Sequence, residues 1–165
     1  MSTLTQNINY LQPTAFKLVI DRKKFGNLEY FAQTITHPSI SIAAADVPFR
    51  RLNIHMAGDK LTFNELTATI IIDENLSAYS EMYDWMKRLV EEPNKTRALI
   101  DPEEYSTAVD ITLSVLSSKN NAVKQIRYVD CVPTDLGDIN FEATTQDVQF
   151  LTFPVSFRFS YFELV

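Results

Sequence analysis

Strict alternation is clearest near the C-terminal end, where Phe153, Val155, Phe157, Phe159 and Tyr161 interleave with Thr152, Pro154, Ser156, Arg158 and Ser160. A period of two puts the aromatic set on one face of a strand and the polar set on the other. Pro154 has no N–H to give a ladder, so it belongs at a sheet edge or a bulge. The same alternation at Asp110-Ile111-Thr112-Leu113-Ser114-Val115 predicts a half-buried strand, with a turn at Lys119-Asn120-Asn121 and a return over Val123 to Val132. Phe16 to Ile20 reads as a first strand, Asp21 to Asn27 as its turn and Leu28 to Ile35 as its return. Pro38 interrupts. Ile40 and Ile42 lead into Ala43 to Pro48, a small-residue loop, and Phe49 to Met56 is again extended.

Between Ala57 and Val90 the period changes. Gly58-Asp59 predicts a tight turn, because Gly tolerates positive φ and Asp bonds its own backbone two residues on. Leu61 to Ile72 is rich in β-branched residues and ends in Ile70-Ile71-Ile72, as a buried strand does. Asp73, Glu74, Asn75 and Ser77 then supply acceptors for the unpaired N–H groups of a helix start. Tyr79, Met82, Tyr83, Met86, Leu89 and Val90 recur at helical spacing, which makes them the core face, with Trp85 at its margin. Ser80, Glu81, Asp84, Lys87, Arg88 and Glu91 form the polar face. Pro93 and Pro102 are breakers in a loop-rich stretch from Glu91 to Pro102 that ends the helix. These elements sum to seven or eight mostly antiparallel strands and one helix: a mainly β sandwich or partly closed barrel. The polar stretch 1–14 reads as an N-terminal arm and 15–165 as a single domain.

Composition narrows the function. With 45% apolar and 22% charged residues, the chain can fill a core without staples and is not of disordered type. A net charge of −6 argues against general nucleic-acid binding, which needs a cationic face to release counterions. It does not argue against a surface that nucleic acid slides past. The single cysteine, Cys131, offers no intrachain disulfide and fits synthesis in a reducing cytoplasm. The first residues lack the basic start and apolar core of a signal peptide, and no apolar run approaches the ~20 residues of a membrane span.

Catalytic constellations are absent from the pattern. His37, His55 and Cys131 have no metal-ligand spacing, and no Gly-x-Ser-x-Gly elbow is present. Cys131 lies in an apolar strand and reads as a small hydrophobe. The pairs Asp73-Glu74, Glu91-Glu92 and Glu103-Glu104 are adjacent, so their side chains do not face one another as a dyad must. Three scattered glycines exclude a phosphate-cradling loop. No enzyme, cofactor or metal is expected. Arg50-Arg51 reads as a solvated strand start, or as a planar fork for a carboxylate of a neighbouring subunit.

Several blocks in order resemble the tail tube proteins of contractile-tailed, T-even type bacteriophages. They are Ala57-Gly58-Asp59 before a strand, the Asp73-Glu74-Asn75 helix entry, and Tyr79-x-x-x-Tyr83-x-Trp85-Met86. Val132-Pro133-Thr134-Asp135-Leu136-Gly137-Asp138-Ile139-Asn140-Phe141 and the closing Phe153 to Phe162 complete the set. The resemblance implies a β-barrel-like core with one flanking helix. It also implies six copies in a ring, and rings stacked into the conduit for DNA ejection. The region Ile40 to Met56 would match a hairpin contacting adjacent subunits through Ile40, Ile42, Asp46, Val47, Phe49, Arg50 and Arg51. Glu81, Asp84, Lys87 and Arg88 would face the tail sheath protein, and Asp46, Asp138 and Glu142 are candidates for an acidic lumen. Expected partners are further copies of the chain, the sheath, baseplate tube proteins and, transiently in the lumen, the tape measure protein and DNA; a membrane is not among them. Its place would be the virion tail, after synthesis in the host cytoplasm. Alternatives are a baseplate tube initiator or other minor ring protein, a secretion-system or bacteriocin tube protein and, from a different class, a monomeric β-barrel binding module or small enzyme.

Overall fold

The computed structural model describes residues 10–20, 32–91, 108–142 and 150–165. The arm before residue 10, the turn expected at Asp21 to Asn27 and the breakers Pro93 and Pro102 lie outside the described residues. Among the described residues, nine strands and one helix run in the order β1 (Phe16–Ile20), β2 (Ala32–Thr36), β3 (Ile40–Phe49), β4 (Leu52–Phe63), β5 (Leu66–Ile71), α1 (Ser77–Glu91), β6 (Val109–Leu116), β7 (Ala122–Leu136), β8 (Thr152–Arg158) and β9 (Tyr161–Leu164). Every pairing between these strands is antiparallel. Seven strands run in the order β1-β6-β7-β8-β5-β2, with β9 also on β7, while β3 and β4 form a separate two-stranded sheet.

The long strand β7 turns the corner of the fold. Its first part pairs with β6 and β9, and its last residues, from Val132, pair with β8. At the bend Asp130 takes a left-handed φ of 57°. Its amide donates to Asp110 Oδ1 at 3.2 Å, and the Ser160 amide donates to the Val129 carbonyl at 3.0 Å. The closing segment turns at the same corner, so the single strand expected through Tyr161 is two strands broken at Phe159-Ser160. Alternation holds across β8, where Phe153, Val155 and Phe157 are fully buried, and fails at Tyr161, which is exposed.

One apolar cluster joins both halves of the folded sheet. Leu18, Ile20, Ile111, Leu113 and Tyr128 come from one half, and Leu66, Ala68, Ile70, Phe153, Val155 and Phe157 from the other. The helix closes this cluster with Ala78, Met82 and Trp85, spaced so as to share a face. Tyr79 meets the Phe153 ring edge-on at 5.4 Å, and Trp85 lies 5.9 Å from Phe157. Each such large side chain gains ~1.5–3 kcal/mol from burial. The expected core face is therefore rotated: Trp85 is at its centre, while Tyr83 and Val90 are exposed. The aromatic residues at 79 and 83 drew the predicted stripe toward themselves, and the small Ala78 that lets the helix approach carried no weight in it.

The helix entry behaves as its sequence suggests. Asp73 Oδ1 accepts the Ala78 amide at 3.3 Å, and hydrogen bonding from Ser77 leads the causes that lower the Asp73 pKa from 3.8.

Three features differ from expectation. The described part of the predicted return of the first strand, β2, pairs with β5, whereas β1 pairs with β6. Leu61 to Ile72 is two strands, parted at Asn64-Glu65. Pro154 stands in an interior strand between β7 and β5, where it has no N–H to give. The register between β7 and β8 ends at Leu136 with Val155, and beyond it the Pro154 carbonyl accepts the Gly137 amide at 2.8 Å. Pro154 thus lies just beyond the last β7–β8 register pair, not at the sheet edge that its missing N–H suggested. Gly137 is required there, since a β-carbon at 137 would lie 2.4 Å from Pro154 Cγ.

Candidate functional site

The two-stranded sheet of β3 and β4 is an arm without an apolar floor. Ala43 to Pro48, expected as a loop, is continuous strand, and Gly58-Asp59, expected as a turn, lies within β4. The register explains both corrections. Ile42 pairs with Leu61 and Ala44 with Ala57, so β4 carries extra residues between them and bulges. A β-carbon at Gly58 would lie 1.9 Å from the Ala43 carbonyl oxygen, so glycine serves a close backbone approach, not a positive φ. The actual turn is Arg50-Arg51, between the paired Phe49 and Leu52. Arg50 holds φ at 56°, a value that two-residue hairpin loops usually give to Gly or Asn, and its guanidinium carbon stands 5.8 Å from the Phe49 ring centre.

Beyond the bulge, the cross-strand pairs Ala45–Met56, Val47–Ile54 and Phe49–Leu52 share one face. That face is open: Val47 is 44% exposed, Phe49 58%, Leu52 75% and Ile54 49%. The opposite face carries Asp46 and His55, joined at 2.6 Å, and the Pro48–Asn53 pair. Ile40 and Ile42, nearer the root, are also exposed. An isolated two-stranded hairpin is marginal in water, and a ladder of large apolar residues on it makes exposure worse.

The root of the arm is fixed firmly. The Asn64 amide donates to the Ser39 carbonyl at 3.1 Å, and Asn64 Nδ2 donates to Ser39 Oγ at 2.7 Å. Phe63 packs against Phe159 and Phe162, each 5.6 Å away. His37 Nδ1 is hydrogen-bonded to the Tyr128 hydroxyl at 2.7 Å and stacks edge-on with Phe162. Burial lowers the His37 pKa and raises that of Tyr128, so both are neutral near pH 7.

The other sequence candidates fall elsewhere. Asp84, Lys87 and Arg88 are exposed on α1, with Glu81 half-buried beside them; Arg88 Nε donates to the Asp84 carbonyl at 3.2 Å. Asp138 and Glu142 are exposed in the segment after β7, apart from Asp46 on the arm. His37 lies at the arm root, His55 on its blade and Cys131 in the core, so the three do not meet. Burial pushes the Cys131 thiol up to about 12, which makes it a poor nucleophile. Among the described residues no group of three His, Cys, Asp or Glu side chains could hold a metal, and no helix is long and apolar enough to cross a membrane. An open depression of about 510 Å³ beside the arm root is lined by Phe63, Asn64, Glu65, Arg158 and Phe159, and Arg158 Nε donates to Glu65 across it at 2.9 Å.

A family-level sequence model for phage tail tube protein matches residues 4–164. No curated protein matches the chain. Among solved structures, a chain in the cryo-EM structure of the PVC sheath/tube terminator, from an extracellular contractile injection system in its extended state, is similar. Its TM-score is 0.67 at 14% identity, covering 96% of this chain and 99% of that one. A chain of the anti-feeding prophage cap, a tube-terminating cap, gives 0.67 at 14%, covering 98% and 95%. A chain of the PVC sheath–tube complex gives 0.63 at 14%, covering 96% and 93%. At these identities the likeness is one of fold.

Proposed function

Because the chain belongs to the phage tail tube protein family, we propose that it is the repeating subunit of a contractile-tail tube, with six copies per ring and rings stacked into a conduit for DNA. The observation that carries this reading is the β3–β4 arm. Its apolar ladder has no partner strand or helix among the described residues. A neighbouring subunit would cover it, and a head-to-tail contact of that kind closes a ring. In this role Ile40, Ile42, Asp46, Val47, Phe49, Arg50 and Arg51 lie at or beside the subunit boundary, with the Arg50-Arg51 tip reaching a carboxylate of the next copy. Glu81, Asp84, Lys87 and Arg88 on α1 face the sheath. Acidic balance serves the conduit, since a surface without free cations holds no phosphate; Asp46, Asp138 and Glu142 are its candidate contributors. Baseplate tube proteins would meet the end ring, and the tape measure protein would occupy the lumen before DNA. The site of action is then the virion tail, after synthesis in the host cytoplasm.

Fold similarity to a tube-terminating cap chain supports a second reading, a ring that ends or starts a tube. Negative-stain electron microscopy over a concentration series separates the two. Long hollow tubes of uniform width support the repeating subunit. Rings that never stack support the terminal one, and monomers at every concentration overturn both.

A further inference from the structure

The turn at the arm tip is held in a conformation that its residues do not favour. Arg50 keeps φ at 56° with its guanidinium over the Phe49 ring, and glycine or asparagine would relieve that backbone. Among the described residues neither Arg50 nor Arg51 has an ion-pair partner. The tip therefore displays an open aromatic ring and two cations for which its own subunit has no use. The depression at the arm root offers complementary groups. The Phe63 and Phe159 rings that line it stand 5.6 Å apart and are half-buried. Glu65 accepts Arg158 Nε on Oε1, and among the described residues its Oε2 remains open to a further donor. Asn64, bonded to Ser39 through both backbone and side chain, fixes the rim before anything docks. At about 510 Å³ the depression has room for a ring and a guanidinium together.

Length decides which copy can fill it. The ten residues of β3, at about 3.4 Å each, carry the tip about 34 Å from the root. A paired ribbon of that length cannot fold back onto its own root, so a tip seated there belongs to another copy. A chain of 165 residues folds to a body on the order of 40 Å across, so the arm reaches about one subunit width. We propose that the depression at the arm root of one copy seats the arm tip of the next, with Phe49 against Phe63 and Phe159 and the Arg50-Arg51 turn on Glu65. Arg158 keeps Oε1, and a planar guanidinium from the tip takes Oε2, so one carboxylate is shared between two subunits. Tip and seat are different surfaces, which makes the contact head to tail: each copy gives one tip and accepts one. The inference rests on the tube reading and names the carboxylate and rings that receive the arm.

Cross-linking of assembled protein tests it, since the native Cys131 is buried. Asn53→Cys sets a thiol beside the tip and Ser160→Cys one beside Phe159, both at exposed positions outside the seat itself. With both in one chain, a short bismaleimide should give a ladder of covalent multimers on a denaturing gel, and either variant alone nothing beyond a dimer. Independently, Glu65→Gln should raise the critical concentration for assembly about tenfold or more, through loss of a charge-assisted pair. Glu163→Gln, at an exposed carboxylate on β9, should leave it unmoved. Wild-type tubes whose doubly substituted form yields no ladder overturn the inference and leave the tube reading standing. So does a Glu65→Gln chain that assembles at the wild-type concentration, or an equal rise for Glu65→Gln and Glu163→Gln, which would reflect net charge alone. A wild-type chain that never assembles defeats the tube reading, and the inference with it.

Discussion

Replacing Val47 and Ile54 together by threonine tests the arm where it is most exposed to refutation. Threonine keeps the β-branch that favours the strand and exchanges a methyl or ethyl for a hydroxyl, so the arm itself should persist. Both side chains are about half exposed in the single subunit. Of the ~1.5–3 kcal/mol that full burial gives a Val or Ile, about 1 kcal/mol each is therefore still to be gained on assembly. Burying two hydroxyls without partners adds a cost of ~1–3 kcal/mol each. The pair should weaken each arm contact by ~4 kcal/mol or somewhat more, which at 1.4 kcal/mol per decade is about a thousandfold in the association constant. Sedimentation velocity across a dilution series reads the critical concentration for assembly. Fluorescence of Trp85, the only tryptophan and fully within the core, reads urea unfolding of the body independently of the arm. The expected result is a critical concentration raised by orders of magnitude, with the Trp85 midpoint unmoved. An unchanged critical concentration would refute the arm as the subunit contact. A fall in the Trp85 midpoint would show that the ladder supports the subunit's own fold.

Other outcomes concern the body of the subunit. Gly137→Ala should lower stability by ~1–3 kcal/mol, because its β-carbon would meet the Pro154 ring at 2.4 Å; a urea midpoint equal to wild type would contradict the packing of β7 on β8. Met82→Ala, at a fully buried position under the sheet, should cost ~2–5 kcal/mol by the same assay, and a loss below ~1 kcal/mol would place the helix elsewhere. Hydrogen bonds that lower the Asp73 pKa stabilise the fold at pH values above 3.8, and that contribution disappears as pH falls through the lower folded value. The stability gap between wild type and Asp73→Ala should therefore narrow in acid, and a gap that stayed constant with pH would refute the cap. Native protein at pH 8 should leave Cys131 unmodified by a thiol reagent that reacts once urea unfolds the chain, since burial holds its thiol near 12; rapid native modification would contradict its burial.

Periodicity carried the elements whose faces see different solvents. Phe153, Val155 and Phe157 alternate with polar neighbours because one side of β8 is core and the other is open, and that contrast is written in the residues. The helix entry was equally plain, since Asp73 and Ser77 act on backbone groups a few residues away. The arm was not legible, because both of its faces are open in the single subunit. Ala43 to Pro48 looks like a loop when small residues and a proline are weighed for a core they never meet. Gly58 looks like a turn when a glycine is credited with φ, whereas its role is to let the Ala43 carbonyl come close across a bulge. Long-range pairings such as β1 with β6 depend on which strands meet after the chain doubles back, and no local pattern encodes that. The apolar ladder Val47, Phe49, Leu52, Ile54 was present in the sequence throughout, and reading Phe49 to Met56 at period two beside Ile40 to Phe49 would have found it.

The most direct test of the arm as the subunit contact is a helical reconstruction of tubes assembled from the purified chain, at a resolution that places side chains. Val47, Phe49, Leu52 and Ile54 of each copy are expected to lie buried against the adjacent copy, with the Arg50-Arg51 turn beside one of its carboxylates. An arm free in solvent, or folded back onto the sheet of its own subunit, would contradict that role.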